Sequence, residues 1–335
     1  MISKKTIIIA EAGVNHDGKI AKAIKLIKAA KKCKADYVKF QAFDANLLCT
    51  KNAEKANYQK KSSSKESQLA MLKRLALKEK DILKLNVFCK KIDIGLMFSV
   101  FDEKSYRHIK KLNHKFIKIP SGEINNFPLL QSFVKDKTSI IFSTGLSNLE
   151  EIKFCYKILI KKKRPSQITL MHCNTEYPTP IHDVNLKVIP SLKNLFKCNI
   201  GFSDHSTSTV IPAAAVSLGA TCIEKHFTLN SKDIGPDHKA SLEPKQFLEM
   251  VKNIREVEQA LGLKEKKITK SESKNLHIVR KSIIAKKQIF LGEKFNIDNL
   301  ITKRPGTGVS PTKWPKFIGR KSKRNYQKDD FIIDE

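Results

Sequence analysis

Two lysines, Lys39 and Lys118, sit inside otherwise apolar runs, and hydrogen-bonding groups follow them: Gln41 after the first, Ser121 after the second, and further hydroxyls at Ser99 and Ser143. A lysine is rarely buried without an anionic partner. Point charges with hydroxyl donors therefore suit a phosphate or carboxylate ligand, and pairing with a structural glutamate is the competing arrangement. His205 and His226 each end an apolar run. Two imidazoles completed by water make an open divalent-metal site that can polarise a carbonyl, whereas two hydrogen-bonded core histidines would do no chemistry. Glu11 and Glu123 fall at the same ends of their runs, either as general acid and base or as neutralisers of the lysines. His16, His172, His182 and His238 read as loop or supporting residues.

These residues converge only if the elements carrying them do. Short apolar, β-branched runs recur at Thr6–Ala10, Tyr37–Phe40, Gly95–Ser99, Phe116–Ile119, Ser139–Phe142, Ile168–Met171, Asn199–Phe202 and Cys222–Glu224. Amphipathic stretches with helical spacing separate most of them, such as Phe247, Met250, Val251, Ile254, Val257 and Leu261. Eight strand–helix alternations predict a parallel (β/α)8 TIM barrel. An open doubly wound sheet is the rival, and no GxGxxG follows the first run to support it. Barrel enzymes carry their chemistry at the C-terminal ends of strands. Polar residues crowd those ends here: Glu11, Asn15 and His16; Lys39 and Gln41; Ser99; Lys118, Ser121 and Glu123; Ser143 and Thr144; His172, Asn174 and Tyr177; Ser203, Asp204 and His205; His226.

The lysine-rich stretch Asn52–Glu66, in the longest gap between runs, predicts a mobile loop over the barrel mouth. The barrel is expected over residues 1–262, a charged linker over 263–276, and a small domain over 277–335 with strand-like pieces at Ser282–Ala285, Ile289–Phe295 and Leu300–Thr302.

Of 335 residues 41% are apolar and 29% charged, enough for a sizeable core and against wholesale disorder. The net charge of +31 would suit nucleic acid, an anionic membrane or an acidic small substrate. Its lysines are scattered through almost every segment and no basic patch is interleaved with aromatics, so a solvated surface is expected and no nucleic-acid or membrane partner. The 7 cysteines are odd in number and lack a CxxC pair, which fits a reducing cytoplasm rather than a disulfide framework. The first apolar run is too short for a signal peptide, and no stretch approaches the ~18 apolar residues of a membrane span.

The runs AEAGVNHDG (10–18), VKFQ (38–41), IKIPSGEINNFPLL (117–130), STGL (143–146), HCNTEYPTP (172–180), GFSDH (201–205), EKHFTL (224–229) and GPDHKASLEP (235–244) closely resemble those of the sialic acid synthases. KRPGTG (303–308) resembles the motif of their C-terminal antifreeze-like (β-clip, SAF) domain. The resemblance implies condensation of phosphoenolpyruvate with an N-acetylated amino sugar to a nine-carbon 2-keto sugar acid, with release of phosphate. Carried over by motif, it implies that His205 and His226 bind a divalent cation, usually manganese, with magnesium or cobalt as alternatives. It assigns phosphoenolpyruvate to Lys39, Gln41, Ser99, Lys118, Ser121 and Ser143, and places Glu11 and Glu123 beside the reacting carbons. Tyr177 and Asp237 match positions near the sugar. Arg304 matches a tail arginine that enters the partner subunit's site, which implies a domain-swapped homodimer. Where many members carry a Ser-Thr-Pro-Phe run, this chain reads Phe98-Ser99-Val100-Phe101, which keeps a hydroxyl at Ser99.

The opening AEAGVNH and the stretch 52–61 look more like the N-acetylneuraminate and N,N'-diacetyllegionaminate synthases than the pseudaminate branch. N-acetylmannosamine and 2,4-diacetamido-2,4,6-trideoxymannose are the two acceptors this implies. Another phosphoenolpyruvate–aldehyde condensing barrel is the alternative enzyme, and a basic nucleic-acid-binding protein the alternative of a different class.

Overall fold

The computed structural model describes residues 5–62, 66–135 and 137–334. The chain divides into two compact units, Met1–Gly262 and Leu263–Glu335.

The first unit is a closed barrel of parallel strands in sequential order: β1 (Ile7–Gly13), β2 (Tyr37–Ala42), β3 (Gly95–Val100), β4 (Phe116–Ile119), β5 (Ser139–Ser143), β6 (Ile168–Cys173), β7 (Asn199–Asp204) and β8 (Cys222–His226). The closed order excludes the open doubly wound sheet. Side chains alternate faces along a strand, and here the two faces carry different chemistry. Outward residues such as Ile8, Val38, Phe40, Leu96, Phe98, Phe142, Leu170 and Ile223 join the helices in the main hydrophobic core. Inward residues Ile9, Met97, Ile141, Met171 and Cys222 form a separate apolar plug. Gly201 belongs where it is because a Cβ there would meet Cys222 O at 2.8 Å.

Several strands run further than the apolar runs that announce them. β1 reaches Gly13, β2 Ala42, β6 Cys173, β7 Asp204 and β8 His226. The sequence stops each strand where apolar residues stop, but inside a barrel polar residues can satisfy one another, so the ladder continues through them. The helices obey local rules. Asn148 caps Leu149–Ile160 by accepting from the N–H groups of Glu150 and Glu151, while Glu151 accepts from Asn148 N, a capping box. That helix buries Ile152, Cys155, Ile158 and Leu159. Pro244 opens the helix Pro244–Ala260, whose Phe247, Met250, Val251 and Ile254 are buried at the expected spacing.

The described part of the 52–66 stretch holds a short helix, Asn57–Ser62, followed by a helix at Gln68–Leu75 capped by Ser67; residues 63–65 of this expected mobile loop lie outside the described residues. No helix among the described residues is long and apolar enough to cross a membrane.

In the second unit, β9 (Ser282–Ala285) pairs antiparallel with β10 (Leu300–Lys303) over a core of Ile283, Ile289, Phe295, Leu300, Phe317, Tyr326 and Ile332. The stretch Ile289–Phe295 is not the strand its residues suggest. A turn closed by Glu293 N to Phe290 O, with Gly292 at φ +83°, leaves isolated bridges at Ile289 and Lys294. Before β9, Thr269 and Glu272 form a capping box on a short helix, Lys270–Ser273, within the stretch expected as a linker.

Candidate active site

One step beyond the apolar plug, the inward residues become polar. Glu11 on β1, Lys39 and Gln41 on β2, Ser99 on β3, Lys118 on β4 and Ser143 on β5 line a cavity of about 500 Å³ together with Ser203, His205, Glu224 and His226 from the β7 and β8 side. Loops after the strands add Ser121, Glu123, Tyr177 and Asp237. Many of the strand-end residues singled out in the sequence thus converge on one cavity, whereas Asn15, His16, Thr144, His172, Asn174 and Asp204 do not line it. Arg304 belongs to the second unit, where its Nε donates to Val279 O at 2.9 Å.

The lysines are buried, and each has an anionic partner. Lys39 Nζ donates to Ser99 Oγ at 2.6 Å and lies 2.8 Å from Glu11 Oε2 and 3.6 Å from Glu224 Oε2. Lys118 Nζ grips both oxygens of Glu224 at 2.8 and 3.0 Å, and Ser203 Oγ donates to that carboxylate at 2.9 Å. Glu224 was not among the residues picked from the sequence. The competing arrangement, lysines neutralised by glutamates, is therefore present inside the same cavity that would bind an anion.

The two carboxylates are not equivalent. Burial raises the Glu224 pKa, but Lys118 and Lys39 outweigh it and hold that carboxyl well below the usual range. Glu11 is pushed up to about 7 by burial, against the pull of Lys39. Its Oε2 is ion-paired with Lys39, whereas Ser143 Oγ, His226 Nδ1 and Gln68 Oε1 are buried around the same cavity without a hydrogen-bond partner. Buried polar atoms normally find partners; three unpartnered ones around a single cavity point to a polar ligand. Glu123 is raised by burial, partly offset by a 2.6 Å hydrogen bond from Asn126 Nδ2. Ser121 Oγ accepts from Gly145 N at 3.1 Å. Gly13, at φ +48°, lets the β1 backbone pass beside Asp237, whose Oδ2 would lie 3.2 Å from a Cβ.

His205 and His226 meet edge to face, ring centroids 5.2 Å apart. His205 Nδ1 contacts Asn174 O, and its Nε2 lies 3.2 Å from Tyr177 Oη and 3.3 Å from Ser203 Oγ. Burial keeps both imidazoles neutral, lowering His205 to about 4 and holding His226 well below its usual value. Neutral imidazoles, an unpartnered His226 Nδ1 and Asp237 Oδ2 at 3.9 Å from it form a donor set that fits a divalent cation. Asp17, Asp233 and His238 also bring metal-type ligand atoms within 4.8 Å of one another. There, however, Lys22 already engages both carboxylates, at 2.7 Å from Asp233 Oδ2. His172 is tied to Val184 O at 2.8 Å, a supporting position.

Tyr58 was likewise missed. From the helix Asn57–Ser62 it lines the cavity and stacks on Tyr177 at 4.9 Å and 29°, and Tyr177 in turn stacks on His205 at 4.2 Å. At the Phe98-Ser99-Val100 departure β3 runs straight through: Phe98 packs outward against Phe40, and Ser99 points inward to Lys39.

A parallel barrel whose strand ends gather buried lysines, glutamates, hydroxyls and an imidazole pair around one cavity has the arrangement of a barrel-enzyme site. Residues 26–266 match the NeuB family and residues 280–334 the SAF domain, and the chain belongs to the NeuB family. It is 47% identical to the N,N'-diacetyllegionaminic acid synthase of Campylobacter jejuni over 98% of this chain and 99% of the relative. A synthase of the same name from Legionella pneumophila is 39% identical over 95% and 90%. The crystal structure of N-acetylneuraminic acid synthetase from Leptospira borgpetersenii superposes with a TM-score of 0.73 at 31% identity, covering 81% of this chain and 90% of that one.

Proposed function

We propose that this chain condenses phosphoenolpyruvate with the open-chain form of an N-acetylated amino sugar, giving a nine-carbon 2-keto sugar acid and inorganic phosphate. The 47% identity to a diacetyllegionaminic acid synthase favours 2,4-diacetamido-2,4,6-trideoxymannose over N-acetylmannosamine as acceptor. The observation that carries the reading is the buried ring of Lys39, Lys118, Ser99 and Ser143 beside two neutral imidazoles in one cavity.

Lys39 and Lys118 hold the anionic ends of phosphoenolpyruvate, with Gln41, Ser99, Ser121 and Ser143 as further donors. His205 and His226 hold a divalent cation, manganese first and magnesium or cobalt otherwise, which when bound supplies Lewis-acid polarisation of the aldehyde. Tyr177 and Asp237 orient the sugar. Phosphoenolpyruvate C3 bonds to the aldehyde carbon, and the aldehyde oxygen gains a proton. Water adds to the electron-poor C2 and loses one. The bond from C2 to the phosphate oxygen then breaks, its electrons leaving with phosphate, and the proton of the C2 hydroxyl passes to the departing phosphate as C2 becomes the ketone. Glu11 and Glu123 exchange these protons, and the lysines stabilise the departing charge. The unpaired cysteines fit a reaction run in the reducing cytoplasm. Mass spectrometry after incubation with each sugar tests the reading. A product of sugar plus pyruvate is expected, most rapidly from the diacetamido sugar; unchanged phosphoenolpyruvate with both would refute it.

The KRPGTG motif further supports a swapped homodimer in which Arg304 serves the partner's cavity. Arg304→Ala homodimers should then be nearly inactive, and mixing them with His205→Ala chains should restore turnover. Inactive mixtures would refute the swap.

A further inference from the structure

The cavity is lined by two kinds of surface. Its floor, at the strand ends, is charged and hydroxylated. The connection between β2 and β3 contributes mainly carbon, from Leu48, Ala53, Ala56 and the Tyr58 ring with Met71, Leu72 and Leu75 of the helix Gln68–Leu75, and its polar lining is confined to Glu54, Gln59 and Gln68. Met71, Leu72 and Leu75 belong to a satellite apolar cluster with Val14 and Phe43, against which Leu48 packs, so this wall is backed by packing. Tyr58 stands at its junction with the chemistry, since its ring lies on Tyr177 and Tyr177 lies on His205. A sugar hydroxyl set against the carbon part of this wall, away from the Gln68 Oε1 that is buried there without a partner, would be left unpaired, at a cost. A methyl group would instead be removed from water there at a gain.

Resting on the condensation proposed above, we infer that Tyr58 is a specificity-determining residue, and that its wall receives a methyl-bearing part of the sugar remote from the aldehyde, a deoxy carbon or an N-acyl group. Stacking on Tyr177 fixes the ring, so the wall is formed before the sugar arrives. Half-buried, and with Asp237 nearby, the Tyr58 phenol is held above its usual pKa and stays protonated. The wall therefore carries no charge at neutral pH from this residue.

The test is the ratio of kcat/KM for 2,4-diacetamido-2,4,6-trideoxymannose to that for N-acetylmannosamine, at saturating phosphoenolpyruvate. One buried methyl is worth roughly tenfold or more in such a ratio. Tyr58→Ala should lower the ratio about tenfold, and Tyr58→Phe, which keeps the ring, should hold it within about twofold. Ala53→Asp, which puts a charge on the same wall, should lower it as well. A ratio unchanged in both Tyr58→Ala and Ala53→Asp, whether the two sugars fall together or neither falls, would overturn the inference. Phosphate release by the wild-type chain checks the parent reading separately. If neither sugar supports release, that reading fails, and calorimetric binding of the two sugars decides the inference: Tyr58→Ala must weaken the diacetamido sugar about tenfold more than the other, or the inference fails too.

Discussion

Ile9, Met97, Ile141, Met171 and Cys222 make one inward ring of the barrel, and two residues further along the same strands Glu11, Ser99, Ser143, Cys173 and Glu224 line the cavity. The rings are about 7 Å apart along each strand. The first needs only to be filled. The second contains ionised and hydrogen-bonding groups removed from water, so it must supply each with a partner or leave it for a ligand. Lys39, Lys118, Glu224 and Ser203 do the former; Ser143 and His226 Nδ1 are left for the latter. A barrel can thus pass from packing to chemistry within one pleat, provided the polar ring neutralises itself.

Two substitutions separate the rings. Glu224→Ala should have the larger effect, destabilising the fold by about 3–5 kcal/mol, because two buried ammonium groups would share only Glu11. Glu224→Gln, which keeps an acceptor, should lose less. Denaturant midpoints check both, and a loss under about 1 kcal/mol for the alanine variant would mean that water solvates the lysines in place of the carboxylate. Ile141→Ala in the ring below should cost about 2–4 kcal/mol through its cavity. The folded fraction should retain kcat/KM within a few-fold, since no ligand-facing group is altered. If it lost turnover as strongly as a floor variant, the two rings would not be separable.

Most of the floor was legible because its signal is local. Lys39 and Lys118 are lysines inside apolar runs, and His205 and His226 end theirs, so strand-end polarity finds them without knowledge of their neighbours. Glu224 escaped because the eighth run was ended on it; the alternation Cys222, Glu224, His226 would have shown it facing the same way as the histidine. Tyr58 escaped for a different reason. It lies in a lysine-rich stretch with no period, and only its partner, Tyr177, more than a hundred residues away, gives it a place. In the second unit, Ile289–Phe295 has strand composition, yet Gly292 turns the chain. Arg304 is singled out by the KRPGTG motif alone; within its own unit its guanidinium donates to Val279 O.

The central claim is that the charged ring is the seat of a metal-assisted phosphoenolpyruvate condensation. Continuous measurement of phosphate release from phosphoenolpyruvate, with manganese and the diacetamido sugar present together and each withheld in turn, tests it most directly. Release should require both, stop in excess chelator, return with added manganese, and fall by ~10²-fold or more in His226→Ala, the loss expected if His226 holds a catalytic ion. Release that proceeds without sugar, or at full rate in chelator, would contradict the account.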